Sequence, residues 1–366
     1  MTRLKLGFIG AGNIGKMHLM SIAALIEANL LDAEIYAIAD IDKETLVETT
    51  ELFDAKKSFM NYKDLIKDPN VDAVFILVPT KWHKEILELA IEKRKHVFCE
   101  KPLAHNYSVA NEMRNIMNKS GLKGQVGLVL RFDPFLNYVR DYISEHNLGH
   151  PMVAHIRDDQ HIPINWGNYS AWRGNKEIAG GGTLLEHSIH DVDLLMWLFG
   201  NIRSVYAQIN YYTQKELDDH ASLIMTHKNG MTTSIDSIWH KVDRPSNREI
   251  EVFFEKAYIK IILEEKKTLI IHEADGEPTA ISYESASRRL LEKIGFEYDS
   301  LNSEQIDALI NIGSERYAIQ DYIYIKSILE DKVPYPGFDD AAKAHLVVDM
   351  AYKSSHEQKP ILINRV

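Results

Sequence analysis

Three glycines, Gly10, Gly12 and Gly15, stand directly behind the apolar run Leu4 to Ile9 and at the mouth of an amphipathic stretch, Ile14 to Ala28. A Gly-x-Gly-x-x-Gly turn between a strand and a helix is compatible with few architectures, chiefly the βαβ unit of a parallel sheet. The first glycine permits a tight turn, the second lets a phosphate approach the backbone, and the third allows close packing of helix on strand. A pyrophosphate held there faces the amides that open the helix, at Asn13 and Ile14. Taken alone, the same spacing also describes a tight turn with no ligand.

The following segment extends the pattern. Apolar runs at Glu34 to Ala39, Ala73 to Val78, His96 to Cys99 and Gln125 to Leu130 read as strands. Between them, stretches at Lys43 to Phe53, His83 to Lys93 and Ser108 to Lys119 repeat apolar residues at helical spacing, which predicts a doubly wound Rossmann sheet. After Pro151 the runs are longer, richer in Val, Ile and Tyr, and joined directly to one another. They fall at Met152 to Arg157, Val205 to Tyr212, Ala221 to Thr226, Met231 to Trp239, Glu249 to Phe254, Tyr258 to Leu263 and Thr268 to His272. The Asn229-Gly230 dipeptide between two of them is a hairpin signal. Helical patterns at Ser314 to Leu329 and Asp339 to Lys353 close the chain. The expectation is an α/β protein with a Rossmann domain over 1–130 and, over 131–366, an α+β domain built on a large, mostly antiparallel sheet for substrate binding and oligomerisation.

With 366 residues the chain exceeds what one core usually fills, in keeping with two domains. Its net charge of −11 argues against nucleic acid or an anionic membrane surface as partner, because both need clustered Lys and Arg. A small molecule fits better. One cysteine, Cys99, allows no internal disulfide, and no run is long enough to span a membrane, so a soluble cytoplasmic protein is expected.

At the tip of the second strand, in "YAIAD", stands Asp40, where a carboxylate can accept hydrogen bonds from both ribose hydroxyls of an adenosine. A 2′-phosphate would be repelled there and would want an arginine, whereas Ile41, Asp42 and Lys43 follow; the preference is for NAD. A solvated strand-end aspartate is the competing reading. Further on, "HVFCEKPLA" puts Glu100, Lys101 and Pro102 behind the next strand, at the carboxyl edge where open α/β sheets bind their ligands.

With Pro79 and Thr80, His83, Glu100-Lys101-Pro102, Trp172-Arg173, the Gly180 to Gly182 run, and His190 followed by Asp193, the chain resembles the Gfo/Idh/MocA family along nearly its whole length. The resemblance implies an NAD-dependent dehydrogenase or reductase acting on CH-OH groups of a sugar, an inositol or another polyol. It implies a homo-oligomer, dimer or tetramer, and a cofactor held by Gly10, Gly12, Asn13, Ile14, Gly15, Asp40, Ile41, Pro79, Thr80, His83, Glu100, Lys101, Trp172 and Arg173. It also puts Lys101 and His190 at the reacting oxygen. Glu186 departs from the pattern, since better-known members carry aspartate four residues before the histidine.

At about 100° per residue, a regular helix from Thr183 to Phe199 puts Glu186, His190, Asp193 and Trp197 on one stripe. A polar stripe on a mostly apolar helix must be paired or line a cavity. A satisfied core network is the plain reading; the resemblance favours catalysis by Lys101, His190 and Glu186. In alcohol oxidation a base must take the hydroxyl proton, and an imidazole with an ordinary pKa of about 6.5 suits this at neutral pH. A lysine beside that oxygen stabilises the developing alkoxide. His187 and Asp191 project away from His190 and its stripe on such a helix, by about 60° and 100°, so no metal site is expected. Arg157, Asp159, His161, Trp166 and Tyr169, with His190, are the candidate substrate contacts, combining polar groups with aromatic faces. Two other functions share the fold: a glycosidase-like enzyme that uses NAD without net redox change, and a non-enzymatic NAD-responsive regulator.

Overall fold

In the computed structural model, residues 3–164, 171–213, 215–264, 266–312 and 314–363 are described, and they pack as two compact units. The first comprises 1–132 and 299–342, the second 133–298 and 343–366. The sequence expectation had a single continuous division after residue 130; packing groups a late segment with the first unit.

The first unit is built on six parallel strands, β1 (Leu4–Ile9), β2 (Ala33–Ala39), β3 (Lys57–Phe59), β4 (Ala73–Ile76), β5 (His96–Cys99) and β6 (Gly124–Val126), in the order β3-β2-β1-β4-β5-β6. The order reverses at β1, the topological switch point where open sheets leave a crevice at their carboxyl ends. Strands β1, β2, β4 and β5 are buried on both faces, which is why they read as short continuous apolar runs. Side chains cap the crossover helices: Asp42 accepts from the Thr45 amide, Asn61 from Lys63 and Asn106 from Val109. The strand expected over Gln125 to Leu130 stops at Val126, and a 3₁₀ turn over Val129–Phe132 follows.

Among the described residues the second unit carries nine strands: β7 (Pro151–His161), β8 (Ile202–Asn210), β9 (His220–His227), β10 (Thr232–His240), β11 (Asn247–Phe254), β12 (Ala257–Ile262), β13 (Thr268–Glu273), β14 (Thr279–Ile281) and β15 (Ile361–Leu362). Their order is β14-β13-β12-β11-β7-β10-β9-β8-β15. All neighbours are antiparallel except β10 and β7, which run parallel. Alternate residues of β9 and β10 are buried, so one face of this sheet is packed. The helix Ile189–Phe199 is buried over most of its surface. Among the described residues no helix is long and apolar enough to cross a membrane.

Candidate active site

Because the first sheet is parallel, four strand ends share one edge, and four of the sequence motifs meet there. Gly10 follows β1 and its amide bonds the Ala39 carbonyl at the end of β2; the Leu77 amide bonds Ile9, and the Glu100 amide bonds Ile76. Gly10 has φ +97°, and a Cβ there would lie 2.6 Å from the Leu77 carbonyl oxygen. At Gly15 a Cβ would lie 2.2 Å from the Gly10 oxygen, so both positions need glycine for packing. Gly12 is different. A Cβ there would meet nothing within 4 Å, which leaves open space in front of the helix Asn13–Glu27, where its first amides point along the axis. That opening fits a pyrophosphate.

Asp40 links the turn to β2. Its Oδ2 accepts the Ala11 amide at 2.7 Å and its Oδ1 the Asp42 amide at 2.8 Å. Each oxygen keeps a further lone pair for a ribose hydroxyl. Ile41 beside it is 89% exposed. On the next strand end, Pro79 leads into a 3₁₀ turn that buries Thr80. His83 is also buried and donates from Nε2 to the Val78 carbonyl at 2.8 Å, and burial lowers its pKa, keeping the ring neutral. Cys99 is buried and burial pushes its thiol up, which agrees with a packing residue rather than a nucleophile.

Glu100 is buried and grips the next residue, its Oε2 accepting the Lys101 amide at 3.0 Å. Its Oε1 lies 3.3 Å from Nε2 of His18, whose Nδ1 faces both oxygens of Asp321 at 2.8 and 2.9 Å. Burial alone would lower the His18 pKa, but the Asp321 and Glu100 carboxylates push it up to about 9. Burial raises Asp321 to about 6 even with that cation opposite. The sequence reading assigned no part to either residue. His18 lies one turn into the helix behind the glycines, and Asp321 stands 303 residues further on, on the helix Glu315–Leu329.

In the second unit the expected continuous helix from Thr183 to Phe199 is two pieces. Thr183–His187 form a π-helical turn, closed by the Ser188 amide on the Thr183 carbonyl at 2.8 Å, and the α-helix begins at Ile189. The regular 100° phase therefore does not carry across Ser188. Asp218 holds the front of the turn, accepting the Gly182 and Leu184 amides at 2.8 and 2.9 Å and the Tyr352 hydroxyl at 2.8 Å. A Cβ on Gly182 would lie 1.9 Å from the Asp218 carbonyl oxygen, which explains the glycine.

The turn buries Glu186, whose Oε1 accepts from Nε of Arg173 at 2.6 Å; that guanidinium sits 4.5 Å from the centre of the Trp172 ring. Glu186, Arg173 and Trp172 are thus brought together. His190 and Asp193 are buried, and Trp197 packs under the Arg140 guanidinium, 4.4 Å from the ring centre. Beneath this helix lies a buried charge cluster. Arg248 bonds Asp191 from Nε at 2.8 Å and Asp158 from Nη2 at 2.6 Å, while Nε2 of His187 lies 2.9 Å from Asp158. Arg248 and its neighbours hold Asp158 well below the usual carboxylate range, although burial opposes this, and burial drives Asp191 well above it.

Alternation along β7 sends Asp158 to one face of the sheet and its neighbours to the other. Asp158 shares the packed face with Ser237 and Arg248, and its carboxylate accepts from the Ser188 hydroxyl at 3.3 Å. Arg157, Asp159 and His161 point to the other face. There Arg157 pairs with Glu249 at 3.2 Å, Asp159 pairs with Arg244 and His240, and the His161 and His240 rings are 6.4 Å apart. Trp166 and Tyr169 lie outside the described residues. Among the described residues no group of three or more His, Cys, Asp or Glu could hold a metal ion.

Comparison with known proteins joins the two halves. Residues 4–128 match the model of the Gfo/Idh/MocA oxidoreductase family, described as an NAD-binding Rossmann fold, and residues 136–260 match the model of the family's C-terminal domain. The chain belongs to the Gfo/Idh/MocA family. It is an NAD-dependent dehydrogenase. The uncharacterized oxidoreductase YrbE of Bacillus subtilis is 31% identical over 68% of this chain and 70% of its own length. Myo-inositol 2-dehydrogenase of Thermotoga maritima is 28% identical over 79% of this chain and 93% of its own. A solved levoglucosan dehydrogenase, in complex with NADH and L-sorbose, superimposes with a TM-score of 0.87 at 22% identity, covering 100% of both chains, which shows the shared fold.

Proposed function

We propose that this Gfo/Idh/MocA protein moves hydride between NAD and a secondary alcohol or ketone carbon of a sugar, polyol or related polyhydroxylated compound. The observation that carries the reading is Lys101, set by a buried carboxylate at the carboxyl edge of the NAD-binding sheet in a chain whose relatives include an inositol and a levoglucosan dehydrogenase. When bound, NAD supplies the hydride acceptor. The turn at Gly10, Gly12 and Gly15 receives its phosphates with Asn13 and Ile14, Asp40 with Ile41 takes the adenosine ribose, and Pro79, Thr80, His83, Glu100 and Lys101 line the same sheet edge. In oxidation the C–H bond breaks as hydride leaves, and the O–H proton passes to the imidazole of His190. Lys101 stabilises the negative charge developing on that oxygen. Glu186 holds Arg173 and, through it, Trp172, a planar pair suited to one face of a cofactor or sugar ring.

The test is NADH formation with NAD⁺ and a panel of myo-inositol, levoglucosan and D-glucose. Lys101→Ala and His190→Ala should each lower kcat by roughly 10²-fold or more while NADH still binds. Wild-type turnover in either variant overturns the roles given to them. Cleavage of a glycoside without net NADH would instead favour the redox-neutral reading, and no conversion at all the regulator. The proposal includes a cytoplasmic homo-oligomer, dimer or tetramer. Exposed Ile224 and Phe253 on the open face of the large sheet agree with an interface there, and light scattering measures it.

A further inference from the structure

A fully buried imidazole between two carboxylates is an expensive arrangement. Replacing a buried ion network with apolar groups is often neutral or stabilising, so packing alone does not account for one. The walls around His18 are aromatic: Phe75, Phe98 and Tyr317 surround the ring with centroids 5.0 to 5.8 Å away. An apolar side chain would suit them. Both ring nitrogens face carboxylate oxygens, so only the imidazolium donates in both directions. Asp321, anchored on the helix Glu315–Leu329, fixes the ring plane, and the ring in turn directs Nε2–H at Glu100. Glu100 is gripped at both ends, with Oε1 on His18 and Oε2 on the Lys101 amide. Gly127 makes room for it, since a Cβ there would lie 2.3 Å from Oε1. The chain of contacts leads from the Glu315–Leu329 helix to the backbone of Lys101.

We propose that His18 and Asp321 are positioning residues for Lys101, a rod from the core of the first unit that sets where the Lys101 main chain stands at the sheet edge. The inference rests on the role given to Lys101 above. Misplacement of a catalytic group by about 1 Å can cost up to 10²-fold in rate, so the rod acts on turnover rather than on cofactor affinity.

Two variants test it, His18→Gln and Asp321→Asn, the second keeping both shape and an acceptor oxygen in case the first does not fold. Labelling of Lys101 by acetic anhydride, read by peptide mass spectrometry against Lys84 and Lys93, should change about threefold or more in both. On a substrate found by the panel, kcat should fall about tenfold with KM and NADH affinity within about twofold, and H18Q should add less than about twofold to Lys101→Ala. Unchanged Lys101 labelling in a folded variant overturns the proposal. So does a loss that multiplies fully with that of K101A, because a merely structural role would act in both backgrounds. If K101A itself turns over like the wild type, the catalytic reading fails, while the labelling result still decides whether His18 and Asp321 position the residue.

Discussion

Each unit buries a cation between carboxylates, His18 with Asp321 and Glu100 in the first, Arg248 with Asp158 and Asp191 in the second. The first cluster stands behind Lys101, and the second holds Asp191 on the helix that carries His190. They differ in which partner can give way. A guanidinium keeps its charge at any pH a protein survives, so in the second unit the adjustment falls on a carboxyl, and burial drives Asp191 up while Asp158 stays ionised. An imidazole can lose its proton, so the first cluster carries a charge that solution conditions can remove. One support is fixed and the other titrates.

The largest effect that separates them is loss of the fixed cation. Arg248→Met leaves the Asp158 carboxylate buried without its main counter-charge, and breaking a buried pair from one side costs about 3–5 kcal/mol. Urea unfolding should register that loss. A change below about 1 kcal/mol would mean that Asp158 and Asp191 share a proton well enough without the arginine, and the contrast between the clusters would vanish.

The titrating cluster gives a smaller, pH-dependent signal. The folded-state pKa of His18 is raised from 6.5 to about 9, so its contribution is fully present below pH 6.5 and is lost as the pH rises through 9. Wild-type stability should fall on the order of 1–3 kcal/mol across that window, with H18Q flattening the slope. In the second cluster the Arg248 guanidinium keeps its charge across that window. Urea midpoints at several pH values compare the two, and an unaltered slope in H18Q would take the titrating charge away from His18.

How far the sequence foretold this follows from the range of each interaction. The glycine turn, Asp40 and Lys101 were legible because each depends on neighbours along the chain and on a parallel sheet that aligns strand ends. Strands with a firm period were read to within a few residues, as at Thr268 to His272 against Thr268–Glu273. The edge strand Lys57–Phe59 was too short and exposed to show a period. The helices Pro134–Glu145 and Tyr283–Lys293 were missed although Asp133 with Pro134, and Ser282, mark their starts; this N-cap chemistry could have found them. Neither charge cluster was legible. His18 meets Asp321 across 303 residues and Arg248 meets Asp158 across 90, and no local pattern encodes such pairings. The π turn at Thr183–His187 also breaks the helical phase on which the stripe through Glu186 and His190 was drawn.

The finest distinction lies inside the second cluster, which holds an imidazole of its own. Nε2 of His187 faces Asp158 at 2.9 Å and stands 3.3 Å from Nη2 of Arg248. Asp158 already accepts from Arg248 at 2.6 Å and from the Ser188 hydroxyl at 3.3 Å, so it keeps donors when the imidazole is removed. His187 is also partly exposed, with a fifth of its side-chain surface open, so water can take its place. His187→Gln should therefore cost no more than about 1 kcal/mol and leave NADH binding unchanged, as measured by urea unfolding and by nucleotide fluorescence. A loss as large as that of Arg248→Met would show that the second support also leans on a titratable ring, and a fixed cation could then no longer be what separates the two units.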